Sequence, residues 1–200
     1  LRVVAPGRAA AVVRTRLLTA TGRASLPEGV LTVPAGSSAE LPLPDSAAGA
    51  RGVEVISDTP VLAAVELRRG TTGAPSDYAW AAATTPITTV AGLALPGNST
   101  GGTRVRTLTL TGDPDRDVPV EIVSTRGPRT IVKDVTLVKG GTRNVPLGGV
   151  DALWVRPQGQ GEVHASVTTT VGEGDGAVLA VSPVPATRVA ARSGTVEQAP

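Results

Sequence analysis

Gly97-Asn98-Ser99-Thr100-Gly101 satisfies the pattern G-x-S-x-G, and aspartates and then His164 follow it, so the chain order of one type of serine hydrolase is met. A nucleophile elbow needs a strand before the serine and a helix after it. Here Gly102 and the alternating stretch Arg104–Leu110 follow, which reads as a second strand behind a Gly/Ser/Thr linker. No catalytic residue is assigned on this basis, and a hydrolase using Ser99 and His164 stands as an alternative. Asn98-Ser99-Thr100 is also an N-glycosylation sequon, which matters only in a eukaryotic host.

Asp113, Asp115 and Asp117 place carboxylates at positions 1, 3 and 5 of a short loop, a spacing that suits a hard cation such as Ca²⁺. The loop fails as an EF-hand, because Val118 stands where glycine is needed and Ser124 where a bidentate glutamate belongs. A polar turn between strands is the competing reading. His164 has no cysteine and no second histidine with which to share a metal, and reads as structural. Gly172-Glu-Gly-Asp-Gly176 lacks the Lys-Ser/Thr of a phosphate-binding P-loop and reads as a hairpin turn. Arg14 with Arg16, and Arg104 with Arg106, are spaced to share strand faces. Such stripes suit solvated edges or diffuse contact with anionic polymers.

Tyr78 and Trp80 are two residues apart and therefore share one face of a strand. Together they could stack on a sugar ring or pack at an interface. Trp80 aligns with Leu179 in an internal repeat described below, so a core position competes with that reading. Trp154 lies between Leu153 and Val155, which look inward, so it faces outward and needs a partner: the other domain, a loop, a neighbouring molecule or a ligand. These three aromatics are the ligand- or partner-contact candidates.

The elements that must position these residues are strands. The chain has 200 residues, 24 Gly and 17 Pro, with no Cys, Met or Phe. That excludes a disulfide framework, a thiolate nucleophile and cysteine-ligated metal centres. A formal net charge of +2 gives no charge-based reason to expect nucleic acid. No cofactor motif is found. The longest apolar runs are too short to span a membrane, and no signal peptide is visible. The chain starts at Leu1, which suggests a mature form or an excised fragment with an upstream anchor still possible.

The sequence repeats itself. Leu1–Gly22 aligns with Arg106–Gly127, placing Leu17 on Ile122. Val53-Glu-Val55 falls near Leu153-Trp-Val155, and Val61–Val65 falls on Val163–Val167. Each copy holds about seven short alternating strands separated by Gly/Pro breakers, the pattern of an Ig-like or fibronectin-III-like sandwich. The expected fold is all-β, two tandem sandwiches related by internal duplication. Residues 1–92 form the first repeat, 93–188 the second and 189–200 an extended tail, with a seam in Thr88–Gly102.

The blocks Val33-Pro-Ala-Gly36, Ser57–Leu67 and Tyr78–Pro86 resemble a family of actinobacterial secreted or membrane-anchored envelope proteins of unknown function. The resemblance implies tandem β-sandwich repeats outside the cytoplasm and supplies no catalytic residues. The expected role is a non-enzymatic spacer, scaffold or interaction module at the cell envelope. An envelope protein or a cell-wall polymer is the expected kind of partner. The alternative is a polysaccharide-binding module that uses its exposed Trp and Tyr.

Overall fold

A computed structural model of the chain describes residues 1–44, 47, 49–71, 74–95 and 103–187. Alternating sequence makes the strands. In Arg104–Gly112, Leu108 and Leu110 are fully buried while Thr107, Thr109 and Thr111, which alternate with them, are partly exposed.

The first sandwich contains β1 (Arg2–Val4), β2 (Ala11–Leu18), β3 (Arg23–Val33), β4 (Ser38–Glu40), β5 (Gly52–Ser57), β6 (Leu62–Thr71) and β7 (Ala74–Ala82). They form two antiparallel sheets, ordered β4-β1-β6-β7 and β3-β2-β5. After β8 (Ala91–Ala94), the second sandwich contains β9 (Arg104–Gly112), β10 (Val118–Arg126), β11 (Arg129–Leu137), β12 (Thr142–Pro146), β13 (Ala152–Pro157), β14 (Val163–Val171) and β15 (Val178–Pro183). Its sheets are ordered β12-β9-β14-β15 and β11-β10-β13-β8. Apart from β8, the two strand orders are identical, so the duplication is present in the topology.

The pairing registers correct the alignment of the copies. Val3 faces Ala63 and Leu110 faces Ala165, so Val3 and Leu110 are counterparts. Leu17 faces Val53 and Ser124 faces Leu153, so the counterpart of Leu17 is Ser124, two residues beyond Ile122. A slip of two keeps every side chain on its own face of the sheet. The alternation is therefore the same in either alignment.

The stretch read as the seam is partly structured. Ile87 and Ala91 are fully buried in the second core, Ile87 bridges to Val163, and β8 pairs with β13. The expected boundary at 92/93 thus falls inside β8, and Ile87, Ala91 and Leu95 pack in the second core. Ala186 bridges to Ala91, and Thr187 N–H donates to Val90 O. The expected tail, 189–200, lies outside the described residues.

The two cores differ in size. Among the described residues, nineteen buried apolar side chains cluster in the second sandwich and five in the first. Between Arg14 and Arg16 the β2–β3 register shifts at a bulge. There Thr15 is buried and its Oγ1 donates to Gly29 O at 2.9 Å. A Cβ on Gly29 would stand 2.8 Å from Leu26 O and 2.9 Å from Thr15 O, so only glycine fits.

Polar contacts tie the sandwiches together. Arg51 Nη1 donates to Thr142 O at 2.6 Å, and Thr142 N donates to Thr19 O at 2.9 Å. Leu179 N–H donates to the Asp77 carboxylate, and Arg69 Nη2 donates to Gly174 O at 3.2 Å.

Candidate functional site

Alternation along β7 turns Tyr78 and Trp80 to the outer face of their sheet and Ala79 and Ala81 inward. Tyr78 is 61% exposed and Trp80 38%. Trp80 faces Glu66 across the sheet, and the position equivalent to Glu66 in the other copy is Thr168 of β14, whose partner is Val181. The counterpart of Trp80 is therefore Val181 rather than Leu179. Val181 and Leu179 are two residues apart and share a face, opposite Thr168 and Thr170 of β14, so the expected core position lies on the outer face in both copies.

The aromatic pair is framed by ion pairs. The Arg2 guanidinium sits 5.0 Å from the centroid of the Trp80 ring, and Arg2 Nε donates to Glu40 Oε1 at 3.0 Å. Arg68 faces Tyr78 and pairs with Glu66. The Arg2 hydrogen bond holds the Glu40 carboxyl below its ordinary value, and the Glu66 hydrogen bond raises the Arg68 guanidinium above its own. Each arginine beside the rings thus has a carboxylate of its own. The face offers two aromatic surfaces and polar edges, with no excess charge for a highly anionic ligand.

Trp154 lies on the outer face of the second sandwich, 39% exposed, between Val123 of β10 and Gly92 of β8. A Cβ on Gly92 would be 2.9 Å from Trp154 Cδ1, so the indole covers that glycine. Trp154 packs on β8, the neighbouring strand of its own sheet. Val132, 56% exposed, continues this apolar row opposite Val123.

The three aspartates stand in the turn between β9 and β10. Asp113 Oδ1 accepts from Asp115 N at 2.8 Å and Oδ2 from Glu162 N at 3.3 Å. The Asp115 N–H, helped by the Glu162 N–H and Arg116, holds the Asp113 carboxyl below its ordinary value. Asp117 Oδ1 accepts from Lys139 N at 2.8 Å. Two of the carboxylates thus fasten loops, and among the described residues no three His, Asp or Glu side chains gather to hold a metal.

His164 Nδ1 lies 3.0 Å from Thr84 Oγ1 and 3.1 Å from Thr84 O, on the connection between the sandwiches. Ser99, proposed as its catalytic partner, lies outside the described residues. Gly172–Gly176 joins β14 to β15 as a hairpin with a 3-10 turn, fastened by Thr103 Oγ1 donating to Glu173 Oε1 at 2.6 Å. Arg16 is half-exposed and lies 3.6 Å from Glu54. Arg106 departs from the solvated-stripe reading. It is 5% exposed, on the inner face with Leu108 and Leu110, and its Nη1 donates to Val150 O at 2.8 Å. Burial, followed by the charge of Arg104, pushes its pKa down.

Sequence reasoning missed a cleft of about 640 Å³ where the first sandwich faces the second. Its walls include Val53 and Val55 of β5, Val65 and Leu67 of β6, and His164 and Ser166 of β14.

Among the described residues no helix is long and apolar enough to cross a membrane. No curated protein matches the chain. A family of unknown function, DUF5719, matches residues 1–148, which take in the first sandwich and the second through β12. On that match the chain belongs to the DUF5719 family.

Proposed function

We propose that the chain is a non-enzymatic module of the cell envelope, outside the cytoplasm, that acts as a spacer, scaffold or protein-interaction unit. The observation that carries this reading is how the chemically capable side chains are engaged. His164 binds the connection at Thr84, Asp113 and Asp117 bind loop N–H groups, and Asp77 and Arg51 hold the sandwiches to each other. These contacts fix geometry, and the bond of the Thr84 hydroxyl to His164 is one of them, fastening β14 to the connection between the sandwiches. The resemblance of its β-blocks to actinobacterial envelope proteins supports the location. Protease accessibility in intact cells tests it: digestion is the expected result, and protection in intact cells but not in lysed ones refutes it.

A second reading is favoured by one observation, the exposed Tyr78/Trp80 pair beneath Arg2. Aromatic faces with paired charges suit a neutral polysaccharide. Co-sedimentation with isolated actinobacterial cell walls separates the two readings. The scaffold reading expects no binding. Salt-resistant binding lost in Trp80→Ala and Tyr78→Ala replaces it with wall recognition, and binding abolished by salt alone points to diffuse arginine contacts.

A further inference from the structure

The two copies of the fold carry opposite charge at one equivalent position. Leu17 and Ser124 are counterparts, so Arg14, which faces Ile56, stands in the first copy where Glu121, which faces Arg156, stands in the second. Arg14 alternates with buried Val13 and Thr15, and Glu121 with buried Val120 and Ile122. Both therefore point to the outer face of their sheet, β3-β2-β5 and β11-β10-β13-β8 respectively.

The outer face of the first sandwich is apolar and cationic. Arg14 stands in a row between Val30 and Ile56, with Val12 two residues away on β2, and all three apolar side chains are exposed, Val30 by 61%. Arg16 and Arg23 share the carboxylate of Glu54, and Asp58 accepts from the Val12 N–H. Among the described residues, exposed Arg14 has no carboxylate partner.

The outer face of the second sandwich is apolar and acidic. Val132, Val123 and Trp154 form one row across it, and Asp134, Glu121 and Arg156 form the next. Arg156 Nη2 pairs with Glu121 Oε1 at 2.8 Å. Asp134 lies directly opposite Glu121, is exposed, and among the described residues has no cationic partner. Like charges directly opposite each other destabilise a sheet, and Arg156 neutralises only one of these two.

Within one chain these faces do not meet. The sheet β12-β9-β14-β15 carries contacts to the first sandwich and its connection: His164 to Thr84, Thr142 to Thr19 and Leu179 to Asp77. The sheet packed behind it turns its outer face the other way.

We propose that the outer face of β3-β2-β5 on one copy of the chain docks on the outer face of β11-β10-β13-β8 on another. Packed sheets lie about 10 Å apart, a gap that an arginine and a carboxylate close from opposite sides. Arg14 then pairs with Asp134, and Val12, Val30, Val132 and Trp154 exclude water around the pair. Contact of either face with its own kind would set Arg14 against Arg14 or Asp134 against Asp134, so charge selects the head-to-tail arrangement. A head-to-tail contact leaves one free face at each end and propagates, as a ring if the rotation closes and as an open chain if it does not. The proposal rests on the interaction-unit reading above and gives that unit its partner, a second copy of the chain.

Sedimentation velocity of the 200-residue chain from about 1 to 200 µM tests this. At low salt the mean sedimentation coefficient should rise with concentration, and high salt should lower it. Arg14→Glu and Asp134→Arg should each weaken association at least about tenfold, with urea midpoints unchanged because both positions are exposed. An equimolar mixture of the two variants should regain association, through the native face that each retains. A chain that stays monomeric throughout overturns the proposal and leaves the envelope reading to its own protease test. Association that only one substitution weakens overturns it, because one face then meets itself, and so does association indifferent to both. A mixture no more associated than its components overturns it as well.

Discussion

Trp154 covers Gly92: across the β13–β8 pair the indole lies where the Cβ of any larger residue would stand, 2.9 Å from Cδ1 and 3.1 Å from Nε1. A glycine inside a strand has no side chain to pack, and a cross-strand aromatic compensates for it. Gly92→Ala should push the indole outward and cost about 1–2 kcal/mol. In a Trp80→Phe background Trp154 is the sole tryptophan, and its emission should shift to the red. Unchanged emission together with unchanged urea stability would show that the two residues are not coupled.

Arg106 and Arg14 should separate by burial. Arg14 is exposed, and Arg14→Ala should change stability by no more than about 0.5 kcal/mol. Arg106→Ala removes the donor to a buried carbonyl, that of Val150, and leaves a void. It should cost about 2–3 kcal/mol in urea unfolding. Equal effects would return Arg106 to the surface.

The second sandwich should outlast the first. Leu108 is fully buried and its counterpart, Leu1, is only partly so. Leu108→Ala should cost about 3 kcal/mol, within the range for filled cores, and Leu67→Ala, on the open cleft, about 1 kcal/mol. Native-state hydrogen exchange should release the β5 and β6 amides before those of β13 and β14. The reverse order would contradict the difference in core size.

Asp113 gives the fold an acid limb. Its carboxyl is held below the ordinary 3.8 by the Asp115 N–H first, then by Glu162 N–H and Arg116. A depressed folded pKa contributes stability that is complete above the unfolded value and is lost as pH falls through the folded one. Asp113→Ala should therefore lower stability by about 1–2 kcal/mol at neutral pH. The gap from the native chain should narrow as pH falls below 3.8. A gap that is constant down to pH 2 would show that the carboxylate charge plays no part.

Alternation of apolar and polar side chains, the breakers between them and the duplication were legible in the residues, and they were enough to set strand positions and the sandwich class. Alternation reports which face a residue occupies relative to its immediate neighbours, so Leu108, Leu110 and Val155 could be assigned inward without a structure. It does not report strand pairing. The registers of β6 with β7 and of β14 with β15, which set Trp80 opposite Glu66 and Leu179 opposite Thr170, placed Trp80 outside. Alternation also carries no information on what covers a face. Arg106 was spaced like a surface arginine and is buried because β9 runs full length over the second core. Within Thr88–Gly102, read as the seam, Ala91–Ala94 became a strand because β13 had a free edge beside it. The open cleft beside β6 depends on the same kind of fact, the neighbour a strand finds in space, and only the tertiary structure decides that.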